Sequence, residues 1–439
     1  MPLGPLRICL LTYRGNPRSG GQGIYVRLLS KALVDLGHAV DVWSGPPYPE
    51  LFPGVNLVKI PSLDLWNEEA MMRTPSLREL IDPINLSEWA RTRVGGFPEP
   101  LTFSQRVARR FRRGATHHYD IVHDNQCLGP GLLEIQAALP VVATIHHPIT
   151  VDRRIAYDSC QNQLKRYGLR RWYSFLETQL KVSRRLDRVL TVSQASQHDL
   201  QREYGLDADR MRVVGNGINL DVFGPIPELA RDPNQLITTM SSDTPLKGFR
   251  YLLEALALLR AEGRTELRLK VFGRPGAKTD TQARVDRLGL DACVEFTGHV
   301  SDGEIARAYA RASVAIVPSL YEGFGFPAGE AMACEVPVVS TSAGALPEVV
   351  GPNGASGRLV PPSDARALAN AVAELLDDPE SATALGRAGR KRVLSQFTWK
   401  RAAERTTEVY HEALRARARL PFSSIAPART VPAYGESAC

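Results

Sequence analysis

The chain has 439 residues, 44% hydrophobic and 23% charged, which suits a folded protein too long for one ordinary core. No apolar run approaches the ~20 residues of a membrane-spanning helix, and the stretch MPLGPLRICLLTYRGNP lacks the small-residue cleavage site of a signal peptide. The formal charge of +7 is modest and no nucleic-acid motif accompanies it.

Short apolar runs alternate with amphipathic stretches throughout, which predicts parallel sheets with crossover helices. RICLLTY at 7–13 reads as a buried strand, residues 24–37 carry apolar side chains at helical spacing, and HAVDVWS follows as a second strand. From about 46 to 101 the pattern is irregular and dotted with proline. Strand-to-turn units then resume at YDIVHDNQ, PVVATIHHP and DRVLTVSQAS, and MRVVGNGINLDVF closes the first half. The proline-rich GPIPELARDPN marks a boundary. Beyond it, QLITTMSSD, LRLKVFGRPG, VEFTGHV, VAIVPSL and VPVVSTS repeat the same grammar without repeating the sequence. The expected organisation is an N-terminal Rossmann-like domain over 1–225 and a C-terminal one over 226–398. A helix over 399–418 returns to the first domain, and a flexible tail occupies 419–439. Two doubly wound domains facing each other would place their ligand loops along one cleft.

The six cysteines, Cys9, Cys127, Cys160, Cys293, Cys334 and Cys439, form no C-x-x-C pair, so neither zinc nor a disulfide framework is expected and a cytoplasmic setting is. Much of the positive charge lies in RVARRFRRG and LKRYGLRRWYSF. Such runs suit a solvated helix face, and their interleaved aromatics also suit peripheral contact with an anionic membrane. The D-x-D formed by Asp207 and Asp209 reads as a polar loop and not an ion site.

The stretch PSLYEGFGFPAGEAMACEVPVVSTSAGALPEVV carries the chemistry. VAIVPSL is a strand, YEGFGFP its loop, and a helix starts near Pro327. Exposed N–H groups and the dipole at that helix start suit a diphosphate. Glycines at 323 and 325 let backbone approach a ligand. Glu322 in the loop and Glu330 in the helix each offer a carboxylate that suits a pair of vicinal hydroxyls. An anionic centre with a polyol at each end is a nucleotide sugar.

From about 212 to 399 the sequence resembles the family 4 retaining glycosyltransferases of GT-B fold. VVGNGINLDVF, PLKGFRYLLEAL, VFGRPG, the long stretch from VEFTGHV to PEVVG, SGRLVPPSD and QFTWKRAAE stand in that family's order, and the first half adds SGGQGIYVRLLSKALVDLGHAVDV and PVVATIHHP. The resemblance implies an α/β fold of two Rossmann-like domains across a cleft. It implies hexose transfer from a nucleotide-diphosphate sugar, with UDP or GDP as the base carrier, to a sugar, lipid-linked or small-molecule acceptor. No cofactor or metal is implied. Glu322 would bind hydroxyls of the transferred sugar, with Gly323, Phe324 and Gly325 presenting backbone to sugar and phosphate. Glu330 would hold the ribose. Lys247 would neutralise the departing diphosphate, joined by N–H groups at Gly20 and Gly21. Gly298 to Val300 would lie against the base, and His146 beside the reacting sugar, although the adjoining His147 competes for that place.

Two departures qualify the resemblance. The family's arginine five residues before the lysine is Ser242 here, which leaves Arg250 or Arg274 to supply the second cation. The family's NGxD reads NGIN, with Asn219 in the acid's place. A nucleotide-sugar epimerase or hydrolase on the same architecture and a non-catalytic sugar-nucleotide sensor are the alternatives. A dinucleotide dehydrogenase is disfavoured because GNPRSGGQG lacks G-x-G-x-x-G spacing and Asp41 lies inside its strand.

Overall fold

The computed structural model describes residues 4–16, 21–67, 71–158, 160, 162–240, 242–276, 279–298 and 300–419. The tail expected after 419 and the site glycine Gly20 lie outside the described residues. Among the described residues, thirteen strands form two sheets in which every pairing is parallel. The first sheet holds β1 (Arg7–Thr12), β2 (Ala39–Ser44), β3 (Asn56–Lys59), β4 (Ile121–Asn125), β5 (Val141–Ile145), β6 (Arg188–Thr191) and β7 (Met211–Val213). The second holds β8 (Asp232–Thr239), β9 (Arg268–Phe272), β10 (Val294–Phe296), β11 (Ala312–Val317), β12 (Val338–Thr341) and β13 (Arg358–Val360).

The strands form where valine, isoleucine and leucine run without interruption, as burial on both faces demands. Every residue of β4 and β5 is buried. The order in the first sheet is β3-β2-β1-β4-β5-β6-β7, and in the second β10-β9-β8-β11-β12-β13. Each order reverses once, between β1 and β4 and between β8 and β11. Such a reversal splays the loops that leave the strand C-termini and opens a crevice there. These two crevices fix where the chemistry can be.

The helix Trp399–Ala418 does not belong with the second sheet. Its Trp399, Ala402, Ala403, Val409, Tyr410 and Ala413 are buried in the core around β1 and the helix Gly21–Asp35. Tyr410 holds His123 of β4 through a 2.7 Å hydrogen bond. The chain thus crosses between the halves a second time, at Phe397 and Thr398, where the Ile218 N–H donates to the Phe397 carbonyl at 2.8 Å.

The stretch expected to be irregular from 46 to 101 contains an edge strand, β3, and the helices Leu77–Leu80, Pro83–Arg93 and the start of Glu99–Arg112. Local signals were present. Ser76 and Glu79 form a capping box, and Asp82 accepts from the Ile84 N–H with Pro83 opening the helix. Prolines at helix starts had read as breaks.

Candidate active site

Lys247 and Glu322 leave the two strands that flank the second sheet's reversal. Lys247 ends the short 3-10 turn Pro245–Lys247 after β8, and Glu322 stands in the loop after β11. The turn is stopped by Gly248 at φ 62°, and an added Cβ there would strike the Pro318 carbonyl. Its Leu246 carbonyl accepts the Leu320 N–H at 2.7 Å. The two loops are therefore docked on each other, and the Lys247 ammonium reaches the Glu322 carboxylate at 2.7 Å. Ser319 donates to the same carboxylate oxygen at 2.8 Å. The pair is largely shielded, with side-chain exposures of 23% and 13%.

The pair lines a cavity of about 490 Å³ that also reaches His147, Asp152, Tyr173 and Ser242. Its walls come from both halves, and its size is that of a small-ligand site. A larger cavity of about 600 Å³ lies beneath the helix Asp302–Arg311 and contains none of Lys247, Glu322 or His147. Chemistry, not volume, therefore picks out the smaller one.

The loop after β11 is pressed against the first half. A Cβ on Gly323 would stand 2.7 Å from the His146 carbonyl, and the Gly323 carbonyl accepts from Ser193 at 2.8 Å. Gly325, at φ 106°, precedes the helix Phe326–Ala333. Gly21, opening the helix Gly21–Asp35, comes within reach of Phe326, 3.9 Å from its ideal Cβ. Two helix N-termini thus converge from the two halves. Phe324 contributes only backbone, since its ring is buried against Phe326 and Phe397.

The histidines divide the work expected of one. His147 lines the cavity and shares a 2.8 Å hydrogen bond with Asp152. His146 turns to Asn125, 2.7 Å from Nε2, with its ring edge-on to Tyr25 at 4.7 Å. Asn125 donates its own amide to the Gln22 carbonyl, so its oxygen accepts from His146. Burial, with His147 adjoining, pushes the His146 imidazole down to about 3, so it is neutral with the proton on Nε2.

Glu330 does not line the Lys247 cavity. Half-buried in the helix Phe326–Ala333, it is pushed up to about 8 by burial and by the nearby charge of Asp302. Its charged neighbourhood is Asp302 and the buried Tyr309, away from the residues that line the Lys247 cavity. Gly298, at φ 75°, lies under the Arg274 guanidinium, whose Nε is 2.5 Å from the ideal Cβ. Arg274 carries no ion pair among the described residues. Arg250 instead lies exposed over the Tyr251 ring, 4.3 Å from its centroid, and donates to its hydroxyl. Asp243, beside Ser242, is occupied with the Gly276 N–H at 2.9 Å and the hydroxyls of Thr279 and Thr281. Among the described residues, no three His, Cys, Asp or Glu side chains gather as a metal ion requires.

The model of Glycosyltransferase Family 4 matches residues 19–222, and that of Glycosyl transferases group 1 matches residues 226–392. An MMP alpha-(1->4)-mannosyltransferase of Mycolicibacterium hassiacum is 45% identical over 413 residues, 93% of this chain and 98% of that protein. The chain belongs to glycosyltransferase family 4. A D-inositol 3-phosphate glycosyltransferase of Thermobispora bispora is a more distant family member, 28% identical over 91% of both chains. The GT-B fold is shared with a sucrose-phosphate synthase of Thermosynechococcus elongatus, at a TM-score of 0.71 and 25% identity over 94% of this chain and 100% of that one. It is also shared with the glycosyltransferase WaaG, at a TM-score of 0.65 and 16% identity over 92% of this chain and 99% of that one. The protein is thus a glycosyltransferase, and its two sheets are the two GT-B halves.

Proposed function

We propose that this glycosyltransferase moves a hexose from a nucleoside-diphosphate sugar, carried by UDP or GDP, to an acceptor hydroxyl with retention at the anomeric carbon. The observation that carries the reading is the shielded Lys247–Glu322 pair, 2.7 Å apart, at a cavity built by both halves. A glycosyl phosphate bond breaks as the sugar carbon gains oxocarbenium character and charge grows on the departing diphosphate. Lys247, the N–H groups after Glu322 and the start of the helix Phe326–Ala333 act on that growing charge, so they favour the transition state over the ground state. The N–H of Gly21, at the start of its helix, adds a donor from the other side.

When donor enters, sugar hydroxyls replace the ammonium on Glu322, while Ser319 keeps the carboxylate oriented. The freed Lys247 turns to the diphosphate. Neutral His146, its ring turned to Asn125, backs the sugar end through its main chain against Gly323, and the acceptor hydroxyl approaches from the His147 side. The acceptor attacks the face the diphosphate leaves, and a phosphate oxygen takes its proton. Lys247 and the helix dipole supply the positive charge, so no metal is invoked. Glu330 holds the ribose, and Gly298 and Val300 lie against the base with Arg274 completing the phosphate clamp.

The mannosyltransferase relative makes mannose, carried by GDP or UDP, the first sugar to test. Thermal-shift measurement against UDP-, GDP- and ADP-sugars should raise the melting temperature for one of them, by mass action. NMR of the product with that donor should report an unchanged anomeric configuration. No shift with any donor, or an inverted product, overturns the reading. Consumption of donor without acceptor would indicate the hydrolase or epimerase instead. No helix among the described residues is long and apolar enough to cross a membrane. Peripheral contact with anionic lipid is part of the proposal, because Leu164 and Tyr167 are exposed beside Lys165, Arg166 and Arg170. Absence of binding to anionic vesicles at low salt would remove it.

A further inference from the structure

A second cavity, of about 260 Å³, adjoins the reaction cavity inside the first half. The 3-10 turn Tyr173–Phe175 contributes to both, with Tyr173 lining one and Ser174 and Phe175 the other. The second is just smaller than an ordinary small-ligand pocket of about 300–1,000 Å³. Its wall is aromatic. Phe97 and Phe175 stand 5.6 Å apart at 68°, and Trp172 stacks behind Phe97 at 5.0 Å and 27°. Trp66 packs edge-on to Trp172 at 5.1 Å and also meets Phe97 at 6.3 Å. A half-exposed aromatic wall held so rigidly offers a flat apolar face to a ligand.

The floor is polar and unsatisfied. Gln179 lines the cavity and is only 1% exposed. Its Nε2 donates to the carbonyls of Gln126 and Cys127, at 3.3 and 3.1 Å. Its Oε1 is buried without a hydrogen-bond partner. A buried acceptor left empty is costly, and a hydroxyl donor satisfies it. The carbonyls that hold Gln179 belong to a strained loop, with Gln126 at φ 55° and Leu128 at φ 51°. The same loop reaches the reaction cavity, since Gln126 Nε2 donates to the His147 carbonyl at 2.9 Å and Gln126 Oε1 accepts the His146 N–H at 2.8 Å. Non-glycine residues in the left-handed region persist where surrounding structure holds them, and they gather at ligand clamps.

Aromatic rings and an unpartnered amide oxygen at one cavity suit a pyranose, with its C–H face on the aromatics and a hydroxyl on the amide. We propose that this cavity is a second acceptor subsite, binding the sugar unit adjoining the one that receives the new residue. The acceptor is then a carbohydrate chain of two or more units. This rests on the transferase reading above and deepens it on the acceptor side.

The test uses the full chain with its donor and acceptors of one to four α-(1→4)-linked mannose units. In the unaltered protein, KM should fall about tenfold between one unit and two. In Phe175→Ala and in Gln179→Met that step should vanish, and in Phe175→Ala kcat on the single unit should stay within about twofold. Phe175 is half-exposed and its removal spares the core, so it guards against a misfolded Gln179→Met. Equal KM for one and two units in the unaltered protein, or an unchanged step in both variants, overturns the subsite. Calorimetry with the donor keeps the two failures apart. A protein that binds no nucleotide sugar sinks the transferase chemistry, whereas one that binds it and ignores acceptor length sinks only the subsite.

Discussion

Lys247 and Glu322 are each unremarkable alone, and their pairing decides what the cavity can do. Within the pair the carboxylate neutralises the ammonium at 2.7 Å, so neither is left shielded and unpaired. Lys247→Ala should lower kcat by about 10²–10³, the usual loss when one preorganised charge is removed from a leaving group. Steady-state kinetics with a melting curve checks this, and an unchanged kcat in a folded variant removes Lys247 from the chemistry. The second cation separates two arginines that the sequence left level. Arg274→Ala should cost at least tenfold in kcat/KM, because Arg274 lies at Gly298 without an ion pair among the described residues. Arg250→Ala should cost less than about threefold, because Arg250 is turned to Tyr251. The reverse ranking would reassign the clamp. Glu330 makes a pH prediction. Burial lifts its carboxyl from 4.5 to about 8, so at pH 7 it is mostly neutral. Ribose hydroxyls donate best to the ionised form, so donor binding should release a proton and tighten as pH rises from 7 toward 9. Glu330→Gln should flatten that profile in calorimetry, and a profile already flat in the unaltered protein would deny Glu330 the ribose.

The turn that carries Lys247 works only because it is followed by glycine. Gly248→Ala places a side chain in the left-handed region and drives its Cβ into the Pro318 carbonyl, so about 1–3 kcal/mol of stability should be lost. Activity should fall further than stability, since the displaced element holds the ammonium. Gly263→Ala is the control. Gly263 has φ 99° but nothing within 4 Å of an added Cβ, so the variant should cost about 1 kcal/mol and leave turnover alone. Equal loss of turnover in both would mean that the turn does not position Lys247. The strands were readable because a doubly buried parallel strand has no polar face, as VVATI and AIV show. Strand order was not readable, since a crossover can land on either side of its partner, and the order alone says which loops share a crevice. The Lys247–Glu322 contact spans 75 positions, and only the family resemblance linked them beforehand. The aromatic wall draws on residues 66, 97, 172 and 175 from three separate segments. Trp172 and Phe175 had read as the interleaved aromatics of a basic run, because nothing local tells a ring packed on another ring from one facing solvent. His147 was visible as a rival to His146, but only the Asn125 contact shows which of them turns away from the cavity.

Across the whole molecule, the contacts between the two halves include two sets with different mechanical roles. The crossings at Ile218 and at Phe397–Thr398 lie side by side, joined by a 2.8 Å backbone hydrogen bond, and form a pivot. Away from it, Glu348 of the second half caps the first-half helix Gln194–Tyr204, accepting from the N–H groups of Gln194 and Ala195 at 2.7 Å each. Tyr321 donates to Asp199 at 2.9 Å on the same face. A carboxylate on two helix N–H groups is a charge-assisted contact at the positive end of a dipole, so it acts as a latch. Hydrogen bonds to charged groups contribute about 1.5–3 kcal/mol, and each 1.4 kcal/mol is tenfold in an equilibrium. Glu348→Ala should therefore lower the closed-to-open ratio about 10–100-fold without touching any residue of the reaction cavity. Small-angle scattering should then show a larger radius of gyration for the unliganded variant, and donor should restore the compact form, since closure assembles Lys247 with the loop against His146. The donor dissociation constant should rise with it, because part of the binding energy now goes to closing the cleft. If the variant scatters like the parent with and without donor, the halves are held by their packing at Gly323 and the carboxylate is not the latch.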